Sequence, residues 1–85
     1  MKNIFVNLES GEGVMIFTEN EKITPEVVFA GLKQINYDVI ETYEVRDDEL
    51  QYYCYDPLWT NPNFERNILK YAEQWFAEHR EEVSV

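Results

Sequence analysis

Four groups of residues have the types from which catalytic or binding chemistry is usually built. His79 is the only histidine, beside Glu78 and three residues before Glu82. A histidine and a carboxylate one helical turn apart could hold a metal, but a metal site normally needs three or four protein ligands with outer partners to orient them. Near a helix C-terminus a histidine is also favourable simply through the dipole, and that is the role assigned to it. Cys54, the single cysteine, sits within Tyr52-Tyr53-Cys54-Tyr55. A nucleophilic thiol wants an adjacent base or positive surroundings. Tyrosines and carboxylates supply neither, so Cys54 reads as a small buried hydrophobe. Paired carboxylates are inevitable among 17 Asp and Glu in 85 residues, and acid–base work needs a cleft as well as a pair. Gly11-Glu12-Gly13 is too short for a phosphate loop, and its central carboxylate repels phosphate. The expectation is a non-enzymatic protein with no cofactor and no metal.

Charge is the stronger signal. Only 7 Lys and Arg oppose the acids, giving a formal net charge of -10. Hydrophobic residues at 45% and aromatics at 15% exclude a disordered acidic tail. Direct binding of nucleic acid is disfavoured, because a polyanion needs clustered Lys and Arg. One cysteine forms no internal disulfide, and the short apolar runs give neither a membrane span nor a signal-peptide core. These features lead us to expect a soluble protein of a reducing compartment, cytoplasmic, with no membrane partner.

The elements that must position these residues can be read along the chain. Ile4 to Leu8 and Val14 to Glu19 alternate, and Ser10-Gly11-Glu12-Gly13 between them offers glycines able to take positive φ. They read as a hairpin. Thr24-Pro25-Glu26 starts a helix: threonine at the N-cap, proline at the first position, glutamate at the positive end of the dipole. Val28, Leu32 and Ile35 form its apolar stripe, and Asn36 suits a left-handed C-terminal position. Gly31 costs up to about 1 kcal/mol against alanine, which suggests close packing on a sheet. Tyr37 to Arg46 and Leu50 to Asp56 read as a second hairpin turning at Asp47-Asp48-Glu49, with Ile40 and Glu41 out of phase in its alternation. Pro57 ends that strand, leaving a loop from Leu58 to Asn63 with a buried Trp59. Asn61-Pro62 or Asn63 caps a last helix, striped by Phe64, Ile68, Tyr71 and Trp75 and running to about residue 82.

The chain is therefore expected to be a single small acidic α+β domain over 1–85, in ββαββα order. Its four-stranded, mainly antiparallel sheet would carry both helices on one face. Ile4, Val6, Val14, Ile16, Val39, Tyr43, Leu50, Tyr52 and Cys54 would face the helices. Phe5, Met15, Phe17, Ile40, Tyr53 and Tyr55 would face outward, an unusually apolar set for a surface in water. Aromatic sheets of this kind can stack bases, but the stretch from Asp38 to Asp56 holds seven acids and only Arg46 as a base.

Two functional expectations follow. The first is an acidic interaction protein that offers carboxylates where a basic partner expects phosphates, a nucleic-acid mimic acting as inhibitor. Glu41, Glu44, Asp47, Asp48 and Glu49 would bind that partner, with Glu73, Glu78, Glu81 and Glu82 adding charge on the last helix. In size and charge the chain resembles phage-encoded inhibitors of restriction and CRISPR systems as a class. The second is a homodimeric structural or regulatory module joined through Phe5, Phe17, Tyr53 and Tyr55, aromatic anchors of the kind that dominate interfaces. The acid triplet at 47–49 is expected to be dispensable for folding.

Overall fold

The computed structural model describes residues 1–80. Strands β1 (Lys2–Leu8) and β2 (Gly13–Thr18) form the expected hairpin. Its turn is closed by Leu8 N–H on the Glu12 carbonyl at 3.0 Å, and Gly11 alone takes a left-handed φ of 92°. Gly13 serves differently. A side chain there would lie 2.8 Å from the Phe5 ring and 2.9 Å from the Cys54 carbonyl, so glycine lets a distant segment pass close over the hairpin.

Helix α1 (Pro25–Gln34) begins as its sequence suggests, with the Thr24 hydroxyl accepting from Val27 N–H at 3.2 Å and proline in the first turn. It ends in a Schellman motif: Asn36 takes φ 68°, its N–H reaches the Lys33 carbonyl, and Tyr37 N–H reaches the Leu32 carbonyl. Helix α2 (Pro62–Glu78) is capped by Asn61, whose side chain accepts from Phe64 N–H at 2.9 Å. Residues Glu81 and Glu82 lie outside the described residues.

Strand β3 (Val39–Val45) pairs antiparallel with β1 on the side away from β2. The register shifts by one between Asn7 and Leu8, leaving Ile40 as an extra residue, a bulge. This is the cause of the broken alternation. Val39 faces the helices, whereas Tyr43, expected to share that face, lies beyond the bulge and faces the other way with Val45. Ile40 is left 53% exposed.

The second hairpin does not form. Asp47–Tyr52 is a 3₁₀ helix, and the last strand, β4, is Asp56–Trp59. Three acids in a row have low strand propensity but suit the first turn of a helix, and the triplet lacks the glycine that a tight Asp-Gly hairpin turn favours. The chain instead crosses the outer face, and β4 pairs parallel with β2, giving the order β3-β1-β2-β4. The sheet is mixed: β1 runs against both its neighbours, and β4 runs with β2. Pro57 and Trp59, expected to end a strand and to lie in a loop, belong to this edge strand, where a missing N–H is tolerated.

Both helices lie on one face, their Val28 and Ile68 packed with Ile4, Val6, Ile16, Ile23 and Val39 in one core. Ile68 of α2 sits against Gly31 of α1, so that glycine serves helix–helix contact rather than helix–sheet contact. The other face is covered too. The crossing segment lays Leu50, Tyr53 and Tyr55 over Met15, Phe17 and Val45, which are buried. Burying each such side chain contributes about 1.5–3 kcal/mol. Alternation along the extended stretch 53–55 turns Tyr53 and Tyr55 inward and Cys54 outward, so Cys54 is exposed rather than buried. Tyr52, expected among the helix-facing residues, is likewise exposed, and Leu50 belongs to the outer cluster. No described helix is long and apolar enough to cross a membrane.

Candidate partner-binding surface

The five acids assigned to partner binding lie along one outer edge of the sheet, in β3 and the 3₁₀ helix that continues it. Glu41 and Glu44 are both exposed; by strand alternation they project to opposite sides of the edge. Neither has a side-chain partner among the described residues. Asp47 differs. Its Oδ1 accepts from Asn3 Nδ2 at 2.6 Å, and Asn3, only 3% exposed, also donates to the Val45 carbonyl at 3.1 Å. One buried amide therefore fixes the exit from β3 and the start of the 3₁₀ helix. Asp48 and Glu49 share Arg46, whose Nε lies 3.3 Å and 3.5 Å from their carboxylates. Such exposed pairs contribute little to stability. The triplet thus has an internal structural role at Asp47, which the sequence did not suggest.

Five carboxylates against Arg46 leave this edge strongly negative. The bases lie elsewhere. Lys2 donates to the Ile23 and Glu21 carbonyls, Lys33 sits over the Phe29 ring, and Lys22, Arg66 and Lys70 lie with Glu65 and Glu73 along the first half of α2.

The aromatic set forms an internal ladder. Phe5 packs on Tyr43 and Tyr53 with ring centroids 5.6 Å and 4.9 Å apart, and Phe17 meets the Tyr55 edge at 6.0 Å. Phe17 is buried, and Phe5, Tyr53 and Tyr55 are half-buried by their own chain. The Tyr53 hydroxyl, followed by burial and the Glu41 charge, pushes the Tyr43 phenol up to about 12. What this side leaves open is Trp59, 63% exposed and stacked on Phe17 at 4.5 Å, and Tyr52, 78% exposed. Trp59 was expected to be buried; as the end of an edge strand it has a neighbour on one side only.

Two further polar arrangements are structural. Glu65 in the first turn of α2 accepts from Thr60 at 2.7 Å and from Asn20 and Thr18 at 3.2 Å, joining the ends of β2 and β4 to the helix. The Thr60 bond first, then those from Asn20 and Thr18, hold its carboxyl below the usual range against the opposing effect of burial. His79 closes α2, its Nδ1–H donating to the Trp75 carbonyl at 2.9 Å and its ring stacked on Trp75 at 3.5 Å. Among the described residues no three His, Cys, Asp or Glu side chains gather as metal ligands would. No protein-family model matches the chain, and no curated protein or solved structure is significantly similar to it.

Proposed function

We propose that this protein is a non-enzymatic binding protein that presents the β3 edge and its 3₁₀ helix to a basic, nucleic-acid-binding protein, and blocks that partner by occupying the place of phosphates. The observation that carries the reading is the separation of charge. Glu41, Glu44, Asp47, Asp48 and Glu49 follow one edge where Arg46 is the one base paired with them among the described residues, while Lys22, Arg66 and Lys70 lie with Glu65 and Glu73 along the first half of α2. The edge is also held in shape. Asn3 fixes Asp47, so less side-chain entropy is lost at that residue when a partner arrives. DNA offers one negative charge per roughly 1.7 Å of axis, and dense carboxylates on a rigid edge are the protein counterpart.

The experiment is a pull-down at low and high salt followed by affinity measurement with Glu41→Gln/Glu44→Gln. These two residues carry charge without an internal partner, so their loss leaves the fold alone. Binding steered by charge weakens as salt rises. The double variant should lose about 1–3 kcal/mol, the scale of two interfacial ion pairs. Partners that are neutral or acidic, held equally at both salt concentrations, would refute the reading.

A second reading, a homodimer through the aromatic side, draws on exposed Trp59 and Tyr52 rather than on the self-covered Phe5, Phe17, Tyr53 and Tyr55. Sedimentation as a monomer at high micromolar concentration would exclude it.

A further inference from the structure

The core between sheet and helices is closed at one end and open at the other. Around Ile4, Ile23 and Val28 the side chains are sealed from solvent. Toward the β1–β2 turn they are not. A cavity of about 440 Å³ opens there, floored by Leu8, Val14 and Leu58 of the sheet and walled by Leu32, Phe64 and Ile68 of the helices. The Gly31–Ile68 contact holds α1 against α2 beside this space. Glu12, Asn67 and Tyr37, all exposed, contribute the polar rim with Tyr71.

Water is a poor occupant. An ordered water needs two to four polar partners, and beyond the rim the walls offer almost none. The volume and the mostly apolar lining with a few polar groups at the mouth are those of a small-molecule site. Charge selects the class. Glu12 is the one lining side chain of a type charged at neutral pH, and the chain as a whole carries a formal charge of -10. That field repels an anionic head such as a fatty-acid carboxylate and attracts a cation.

We propose that this cavity binds a small amphiphile with an apolar body and an amine head, the body seated between Val14, Leu32 and Ile68 and the ammonium at Glu12. The site lies on the helix side of the sheet, and the proposal is independent of the acidic-edge reading.

The test uses decylammonium, decanol and decanoate below their aggregation concentrations, with affinity from calorimetry and location from methyl chemical shifts. Decylammonium should bind one to one and shift the methyls of Leu32, Leu58 and Ile68, with decanoate at least tenfold weaker. Glu12→Gln should lower decylammonium affinity at least fivefold and bring it level with decanol. Val14→Phe, which puts a ring into the cavity, should lower it at least tenfold, and the methyl map of the unaltered protein decides the case even if that variant does not fold. Shifts spread over surface carboxylates with several equivalents bound, decanoate binding as tightly as decylammonium, or no response to Glu12→Gln would each overturn the proposal.

Discussion

Replacing Gly31 by alanine sets two effects of known sign against each other. In an isolated helix the change is favourable, by about 1 kcal/mol. In this fold the new methyl would lie 2.5 Å from Ile68 Cδ1, 2.8 Å from its Cγ1 and 2.9 Å from its carbonyl oxygen. Rotation of the Ile68 side chain could relieve the first two contacts. The third is backbone, so α2 itself must move away from α1. Overpacking of this kind costs about 1–3 kcal/mol, and a required shift of backbone places it in the upper part of that range. The net expectation is a loss of about 1–2 kcal/mol, or a fall in melting temperature of about 4–16 °C for a domain of this size. Urea denaturation with an unchanged slope reads it directly. Ile68→Val removes the nearest atom and alone should cost about 0.5–1.5 kcal/mol. Combined with Gly31→Ala it should cost less, because the two residues share one contact. A Gly31→Ala protein as stable as the parent or more so would refute the argument, since propensity alone would then govern the site.

Other perturbations probe the remaining polar contacts. Asn3→Ala removes the amide shared by Asp47 and the Val45 carbonyl and should destabilise by about 1–3 kcal/mol in urea, whereas Asn7→Ala, on the same strand but less buried, should cost less. Glu65 has a folded pKa below its unfolded value, so its stabilisation is present above the ordinary glutamate range and is lost as pH falls through the folded value; Glu65→Gln should flatten the acid limb of a stability–pH profile. Tyr43 has the opposite sign: held protonated up to about 12, it contributes stability that is lost as pH rises from about 10, and Tyr53→Phe should bring one phenolate absorbance step back toward the ordinary tyrosine value. If neither titration responds, the hydrogen bonds assigned to these groups are not the cause of their shifts.

What the sequence disclosed was whatever rests on local chemistry. Thr24, Asn36 and Asn61 end their helices as their side chains dictate, and β1 and β2 alternate cleanly because one face of each meets the helices. The third strand misled because a bulge reverses facing within it. Alternation counted through Ile40 assigns Tyr43 to the wrong side. The fourth was misplaced because its partner is β2, about forty residues away, and no local pattern specifies a parallel pairing. Tyr53 and Tyr55 look like part of a strand because they alternate with Cys54; with Leu50 they cover a face that is already built. Of the candidate surface, the charge of the β3 edge was legible, since charge is additive along a sequence. Asn3 was not, because a buried asparagine on a strand declares nothing until its partners are known.

The segment that crosses the outer face joins the two strands farthest apart in the sheet. This gives the domain an order of assembly. The β1–β2 hairpin closes a short loop, whereas β4 can dock only after the chain has travelled from one edge to the other, and long-range pairings of this kind form late. Partial unfolding is expected to run the sequence backwards. A strap that lifts off frees β4, bares Met15 and Phe17 and leaves the outer edge of β2 unpaired, the combination that recruits a strand from another chain. The tendency of this protein to aggregate should therefore follow the local opening of residues 47–59 rather than its global stability. The thiol of Cys54 lies in that segment, where a label would report the opening.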